Sequence, residues 1–234
     1  MHTNEQWLAM KLKQLEGYLG DVAAFKEPKI QLEQYPTTPH LASRILYTAE
    51  TSFGDIEGKA VVDLGCGCGM LSVAASIMGA SSVVAIDIDA DALETARENT
   101  EEFDVGAVVD LVQASICERD PGTAELSLNA DLVAKMAGKF DTAILNPPFG
   151  TKPGNKGIDV LFLQAACAMA EGAVYSLHKS STREYLVKKA QAWGFDCQVL
   201  AELKFDLPMM YKFHKKKSVD IDVDLLRLSR RAPI

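Results

Sequence analysis

Residues Val61-Val62-Asp63-Leu64-Gly65-Cys66-Gly67-Cys68-Gly69 run from an apolar strand into a turn with glycine at every second position. Glycine accepts positive φ and lets a ligand approach the backbone with no Cβ in the way. Asp87 ends the next apolar run, 22 residues after Gly65, where a carboxylate can accept both hydroxyls of a ribose. A lone GxGxG turn is weak. Between a strand and a helix, with an acid closing the following strand, it points to an adenosine-containing cofactor. The spacing is not the GxGxxG of dinucleotide binding, and Asp63 stands just ahead of the first glycine. A carboxylate there suits a cationic methionine-type ligand and repels a pyrophosphate, which favours S-adenosylmethionine over NAD.

Outward from this turn, strands and helices alternate. Apolar runs predict strands over 60–64, 83–86, 107–112, 140–145 and 173–177, with helices over 71–78, 91–103 and 159–171. Ser181 with Glu184 reads as a capping box for a further helix that Gly194 ends. Val219, Ile221, Val223 and Leu225 alternate with Asp220, Asp222 and Asp224, a period-2 strand that pairs with one over 197–205. The pattern is α/β: βαβ units on a mostly parallel sheet, closed by an antiparallel C-terminal strand. Residues 1–30 read as a helical arm, with Trp7, Leu8, Leu12, Leu15 and Leu19 near helical spacing. A loop through Glu27-Pro28-Lys29 follows, Pro36 and Pro39 forbid a regular helix over 32–39, and a helix resumes over 40–48. The division expected is an arm and cofactor-covering loop over 1–40 and a catalytic domain over 41–234. The segment 118–139 exceeds a normal connection and reads as a loop with a helix on the rim.

Composition narrows the class. The chain has 234 residues, 24% of them charged and 48% hydrophobic, which argues against disorder, collagen-like repeats and a coiled coil. No apolar run reaches the roughly 18–20 residues of a membrane span, and the N-terminus carries no apolar signal core. Five cysteines without CxxC spacing predict reduced thiols and no metal site. Residues 1–150 hold 10 Lys+Arg against 23 Asp+Glu, whereas residues 151–217 hold 11 against 6. That asymmetry suits a local anionic contact, and equally a solvated charged surface.

After the strand over 140–145 come Asn146-Pro147-Pro148-Phe149, at the carboxyl edge where open α/β sheets bind ligands. An exocyclic amine is a poor nucleophile because its lone pair is delocalised into the ring. The Asn146 side-chain oxygen and the Pro147 carbonyl can each accept one N–H and turn the lone pair toward a methyl donor. Pro148 stiffens the turn and Phe149 can stack on the base. Here the chain resembles the class I S-adenosylmethionine-dependent methyltransferases with an Asn-Pro-Pro-aromatic motif, and among them the small-subunit (18S) ribosomal RNA adenine-N6 methyltransferases. The stretches that carry the resemblance are 32–37, 63–69, 146–152, 175–184 and 211–220.

The resemblance implies a seven-stranded Rossmann-like sheet and cofactor contacts from Gln34, Thr37, Gly65, Cys68 and Asp87. Asp63, Gly67, Gly69, Ser115 and Ile116 complete the expected cofactor site. Ser115 stands where the family has an acid beside the cofactor adenine, so a somewhat weaker, uncharged contact is expected. The resemblance also implies a small zinc-binding methyltransferase adaptor as heterodimer partner and residence in cytoplasm and nucleus, nucleolus included. Lys212, His214, Lys215, Lys216 and Lys217, interleaved with Tyr211 and Phe213, form a basic cluster suited to RNA, to which Lys179 and Arg183 can add. Two other classes stay open. A protein glutamine methyltransferase presents a planar amide nitrogen to the same turn, but usually carries Tyr at its last position and a larger helical substrate domain. A catalytically idle RNA-binding scaffold has no need of an intact tetrad.

Overall fold

The apolar runs on either side of the glycine turn become the central strands of one sheet. The computed structural model describes residues 10–208 and 218–231. In chain order the elements are α1 (Leu12–Leu19), α2 (Pro39–Phe53), β1 (Ala60–Leu64), α3 (Met70–Ile77), β2 (Ser82–Asp87), α4 (Ala90–Glu102), β3 (Val109–Gln113), β4 (Cys117–Arg119), β5 (Leu126–Leu128), α5 (Ala130–Met136), β6 (Phe140–Leu145), α6 (Ile158–Met169), β7 (Ala170–Lys179), α7 (Arg183–Ala192), β8 (Phe195–Pro208) and β9 (Ser218–Arg230). The seven-stranded sheet has the order β3-β2-β1-β6-β7-β9-β8. β9 alone runs opposite to the other six strands, so the predicted Rossmann-like class I methyltransferase fold holds.

Val61, Val62, Asp63 and Leu64 are all buried, because β1 is covered on both faces, as parallel strands are. One core holds Val61, Ile144 and Tyr175 with Leu46, Val73 and Leu93 of the helices α2, α3 and α4. The other holds Val62, Leu145 and Val174 with Leu163 of α6 and Leu186 of α7. Leu15 and Leu19 of α1 are fully buried in the first core. Pro39 occupies the first turn of α2, where its missing N–H costs nothing, and the Thr38 hydroxyl accepts from Leu41 N at 3.3 Å as its cap.

Three expectations change. The residues over 118–139 carry the expected helix, α5 with Asn129 as cap, but what precedes it is no loop: β4 and β5 form an antiparallel hairpin. Three-residue strands flanking a turn are too short for periodicity to register. Residues 10–30 are helical only over Leu12–Leu19, and Trp7 and Leu8 lie outside the described residues. Ser181 does not cap α7. Ser180–Thr182 form a 3-10 turn ahead of it, because Ser180 donates instead to buried Asp224 at 2.6 Å. Among the described residues no helix is long and apolar enough to cross a membrane.

Asp224 also takes Arg183 Nε and Nη2 at 2.6 and 2.7 Å. Burial alone would push its carboxyl up, but the Arg183 and Ser180 bonds outweigh that and hold it below 3.8. A depressed acid stabilises the fold above its unfolded pKa and loses that contribution as pH falls through the folded value. Asp224→Asn is therefore expected to cost about 1–3 kcal/mol at neutral pH. The gap to wild type should close below pH 3.8, as read from urea unfolding at pH 7 down to pH 3.

Candidate active site

The carboxyl ends of β1, β2 and β6 place the functional groups. Asp63 pairs with Ile144 across β1 and β6, and Leu64 with Ile86 across β1 and β2. Gly65, Asn146 and Asp87 therefore emerge side by side, at the point where the strand order reverses. Gly65 N and Cys66 N both donate to the Ile86 carbonyl, at 2.8 and 3.1 Å. Gly67 N donates to Asp87 Oδ2 at 2.9 Å, and Asp89 N to Asp87 Oδ1 at 2.9 Å. Gly67 has φ +54, and a Cβ there would lie 2.6 Å from the Phe25 ring, so the position admits glycine alone. Gly67 and Gly69 shape the turn; the groove is lined by Gly65.

That groove has a volume of about 430 Å³. Gln34, Asp87, Ser115 and Ile116 line it, and so does Ile88, half exposed beside Asp87. Ile88 and Ile116 offer an apolar slot for a purine, with Ser115 at its edge. The Ser115 hydroxyl donates to the Cys117 carbonyl, which leaves its oxygen free to accept from an adenine amine. Burial pushes the Asp87 carboxyl up, against the pull of its backbone N–H bonds. Gln34 is spent on a lock: its amide donates to Asp89 at 2.7 Å and its oxygen accepts from Lys29 N at 2.6 Å.

Next to the groove a cavity of about 30 Å³ is lined by Asp63, Thr37, Cys68 and Asn146. Asp63 is fully buried; Oδ2 accepts from Ser72 Oγ at 2.6 Å while Oδ1 has no partner. Burial pushes its carboxyl up to about 7. A buried acceptor left orphaned costs roughly 1–3 kcal/mol, and the ammonium of a methionine-type ligand would satisfy it. Orphaned acceptor, apolar slot and ribose-facing Asp87 together fit S-adenosylmethionine. Burial pushes the Cys68 thiol up to about 11, so it fills the wall as a neutral group.

In the catalytic turn, Asn146 Nδ2 donates to Thr37 Oγ1 at 3.0 Å. Spending the amide N–H on Thr37 leaves Oδ1 as the end able to accept a substrate amine. Asn146 and Pro148 line the groove. Pro147 is buried, and Phe149, expected to stack on a base, is 2% exposed and belongs to the core with Ile144 and Leu177. Glu33 is the residue that sequence reasoning missed. Its buried carboxylate accepts from Thr151 N at 3.0 Å, Thr151 Oγ1 at 2.7 Å, Lys152 N at 3.3 Å and Asn155 Nδ2 at 3.1 Å. It sits at φ 53, an uncommon conformation for glutamate. Sequence carried no sign of this beyond an acid beside Gln34.

The basic residues divide. Arg183 is committed to Asp224 and, at 3.2 Å, to Glu202, so its guanidinium holds β9 and β8 to α7. Lys179 is half-buried at the end of β7. Lys212, His214, Lys215, Lys216 and Lys217 lie outside the described residues. Ser176, His178 and Asp159 sit as a hydrolase triad would, with Ser176 Oγ 2.8 Å from His178 Nε2 and Asp159 Oδ2 3.5 Å from Nδ1. All three are buried and none lines the groove, so the set braces β7 against α6.

The family model for ribosomal protein L11 methyltransferase (PrmA) matches residues 40–134, which span the glycine turn and Asp87 but stop short of Asn146. The chain is 52% identical to the rRNA N(6)-adenosine-methyltransferase METTL5 of Danio rerio over 220 residues, covering 94% of this chain and 99% of the relative. It is 46% identical to Mettl5 of Drosophila melanogaster over 218 residues, covering 93% and 96%. The crystal structure of a candidate RNA methyltransferase from Pyrococcus horikoshii is similar with a TM-score of 0.77 at 33% identity, covering 98% of this chain and 99% of that one.

Two outcomes follow from the geometry. Asp63 must lose its proton to pair with an ammonium, so affinity for S-adenosylmethionine should rise with pH and level off above about 7. Below that point it should fall by up to about tenfold per unit. Asp63→Asn should flatten the profile in calorimetric titrations from pH 6 to 8. Glu33→Ala strands four donors and should cost about 2–4 kcal/mol in unfolding free energy, with cofactor affinity falling alongside.

Proposed function

The chain belongs to the METTL5 family of rRNA N6-adenosine methyltransferases, and on that premise we propose that it transfers a methyl group from S-adenosylmethionine to the N6 amine of an adenosine in small-subunit ribosomal RNA. The observation that carries this is the locked Asn146: with its amide held by Thr37 at 3.0 Å, its oxygen accepts one N–H of the adenine amine. The Pro147 carbonyl, next along the turn, accepts the other. Two acceptors draw the nitrogen out of conjugation, and its lone pair becomes available for attack. When bound, the cofactor supplies an electrophilic methyl group on a sulfonium.

The other residues position and exclude. Asp63 and Asp87 hold the cofactor at its ammonium and ribose ends, and Pro148 faces the base from the groove wall. Phe149 supports the turn from the core. No strong base is needed, because the amine loses its proton after transfer. Placement supplies much of the acceleration. A base in a duplex must be unpaired or flipped to reach Asn146. We further propose that the chain works as a heterodimer with a small zinc-binding methyltransferase adaptor, in cytoplasm and nucleus, with the basic run from Lys212 to Lys217 contributing to RNA binding.

The test is methyl transfer from labelled S-adenosylmethionine, with the adaptor co-expressed, to small-subunit ribosomal RNA and to a glutamine-containing peptide. N6-methyladenosine in the RNA, resolved by nucleoside mass spectrometry, is the result expected. Label in the peptide would move the chain to the glutamine enzymes, and label in neither would leave an RNA-binding scaffold. Asn146→Ala should keep cofactor affinity and lower kcat by about 100-fold or more, the scale on which a hydrogen-bond partner at the reacting centre counts.

A further inference from the structure

Cys117, Arg119 and Leu126 of the β4–β5 hairpin line the same groove as Asn146 and Pro148. Arg119 pairs with Leu126, and Cys117 with Leu128, so one face of the hairpin turns toward the groove and alternation sends Glu118 to the other. The Arg119 guanidinium is fixed: Nη1 donates to the Ala124 and Gly154 carbonyls, both at 3.0 Å. Gly154, at φ +83, lies directly against it, since a Cβ there would come within 3.3 Å of Nη1. Gly154 belongs to the loop that follows the catalytic turn, and the same loop carries exposed Lys156 and half-buried Lys152.

Several other cations of the fold are already paired. Lys29 is consumed by Asp89 and Asp91, Lys26 by Glu98, and Arg183 by Asp224 and Glu202. Among the described residues Arg119, Lys152 and Lys156 have no ion-pair partner. Of the hairpin's acids, Asp120 is occupied by Gly122 N, Thr123 N and the Thr123 hydroxyl, and so shapes the turn. Arg119 is bonded only to carbonyl dipoles, so it keeps a full charge in a set position.

We propose that Arg119, Lys152 and Lys156 form a phosphate-binding rim that grips the RNA backbone on either side of the target adenosine, with the β4–β5 hairpin presenting Arg119. This rests on the proposed reaction at Asn146. A nucleotide whose base reaches Asn146 leaves its ribose and flanking phosphates at the groove mouth, where Arg119 lines the wall and holds the carbonyl of Gly154, midway between Lys152 and Lys156 in the chain. The rim acts next to the chemistry. Contacts of this kind fix register without reading sequence.

The experiment uses the full chain with co-expressed adaptor, and measures RNA affinity as a function of salt for a single-stranded fragment of small-subunit ribosomal RNA. Each phosphate contact contributes about 0.7 to the log–log slope on single strands. R119A should lower the slope by about 0.7 and the combination with K152A and K156A by about 2, while R119K keeps most of it. Cofactor affinity, measured on every variant, reports whether the groove is intact. If R119A disturbs the hairpin, the K152A/K156A pair carries the test alone, with an expected drop of about 1.4. An unchanged slope in the combined variant, or in that pair where R119A disturbs the groove, overturns the rim. The reaction itself is read separately on wild type by nucleoside mass spectrometry. RNA methylation with an unchanged slope sinks the rim alone, whereas no methylation by wild type sinks the reading it rests on.

Discussion

The parallel pairing of β1 with β6 is the constraint from which the rest of the site hangs. Their register sets Asp63 against Ile144, so the first residue beyond each strand, Gly65 and Asn146, must be neighbours. The pairing of β1 with β2 brings Asp87 to the same edge, where its two oxygens receive Gly67 N and Asp89 N. A one-residue slip of β6 would turn Ile144 and Leu145 to the wrong cores, and both are fully buried or nearly so. The hydrophobic pattern of β6 therefore fixes the distance between the methyl donor and the amide that handles the acceptor. Catalytic geometry is here a consequence of core packing.

The strand ends alone leave the groove open on one side. The arm closes it, and buried Glu33 is the closure. Holding a glutamate at φ 53 costs energy, as does removing its carboxylate from water. Four donors from residues 151–155 compensate, and Asn155 adds a bond to the Gln31 carbonyl at 2.9 Å. The same short stretch carries Gln34, locked to Asp89, and Thr37, locked to Asn146. Four residues apart, Glu33 and Thr37 thus grip the catalytic loop from both sides of its turn. On the proposed reaction the arm is part of the catalytic apparatus, because the Asn146 amide is oriented by a hydroxyl 109 residues earlier.

Legibility in the sequence followed the range of the interactions. Strands β1 and β6 were readable to the residue because each is a short, mainly apolar run that begins after a lysine, Lys59 or Lys139, and ends at a turn residue, Gly65 or Asn146. The glycine turn and the Asn146 tetrad were readable because backbone conformation and chemistry both restrict the residue types there. Glu33 was not, since an acid in a polar loop looks solvated until a loop more than a hundred residues away folds onto it. Phe149 was placed on the base because its tetrad position invites stacking, yet its ring is buried in the core. Ser181 resembled a cap because the local motif was complete, but its neighbour Ser180 found a stronger acceptor in Asp224.

Charge shows the same limit most sharply. By composition Arg183 and Arg119 are equivalent, and the basic excess over 151–217 made Arg183 the natural RNA contact. The fold distinguishes them. Arg183 meets a buried carboxylate, and an ion-paired guanidinium has little left to offer a phosphate. Arg119 sits in the acidic half, beside Glu118 and Asp120, yet the hairpin sends those acids elsewhere and leaves the guanidinium on carbonyls. A chain with net charge −8 can hold a polyanion if its cations are unpaired where the substrate passes, because contacts beyond a Debye length of about 8 Å are screened at physiological salt. For this protein the sign of the whole molecule is thus a poor guide to what it binds. What decides is which cations the fold has already neutralised.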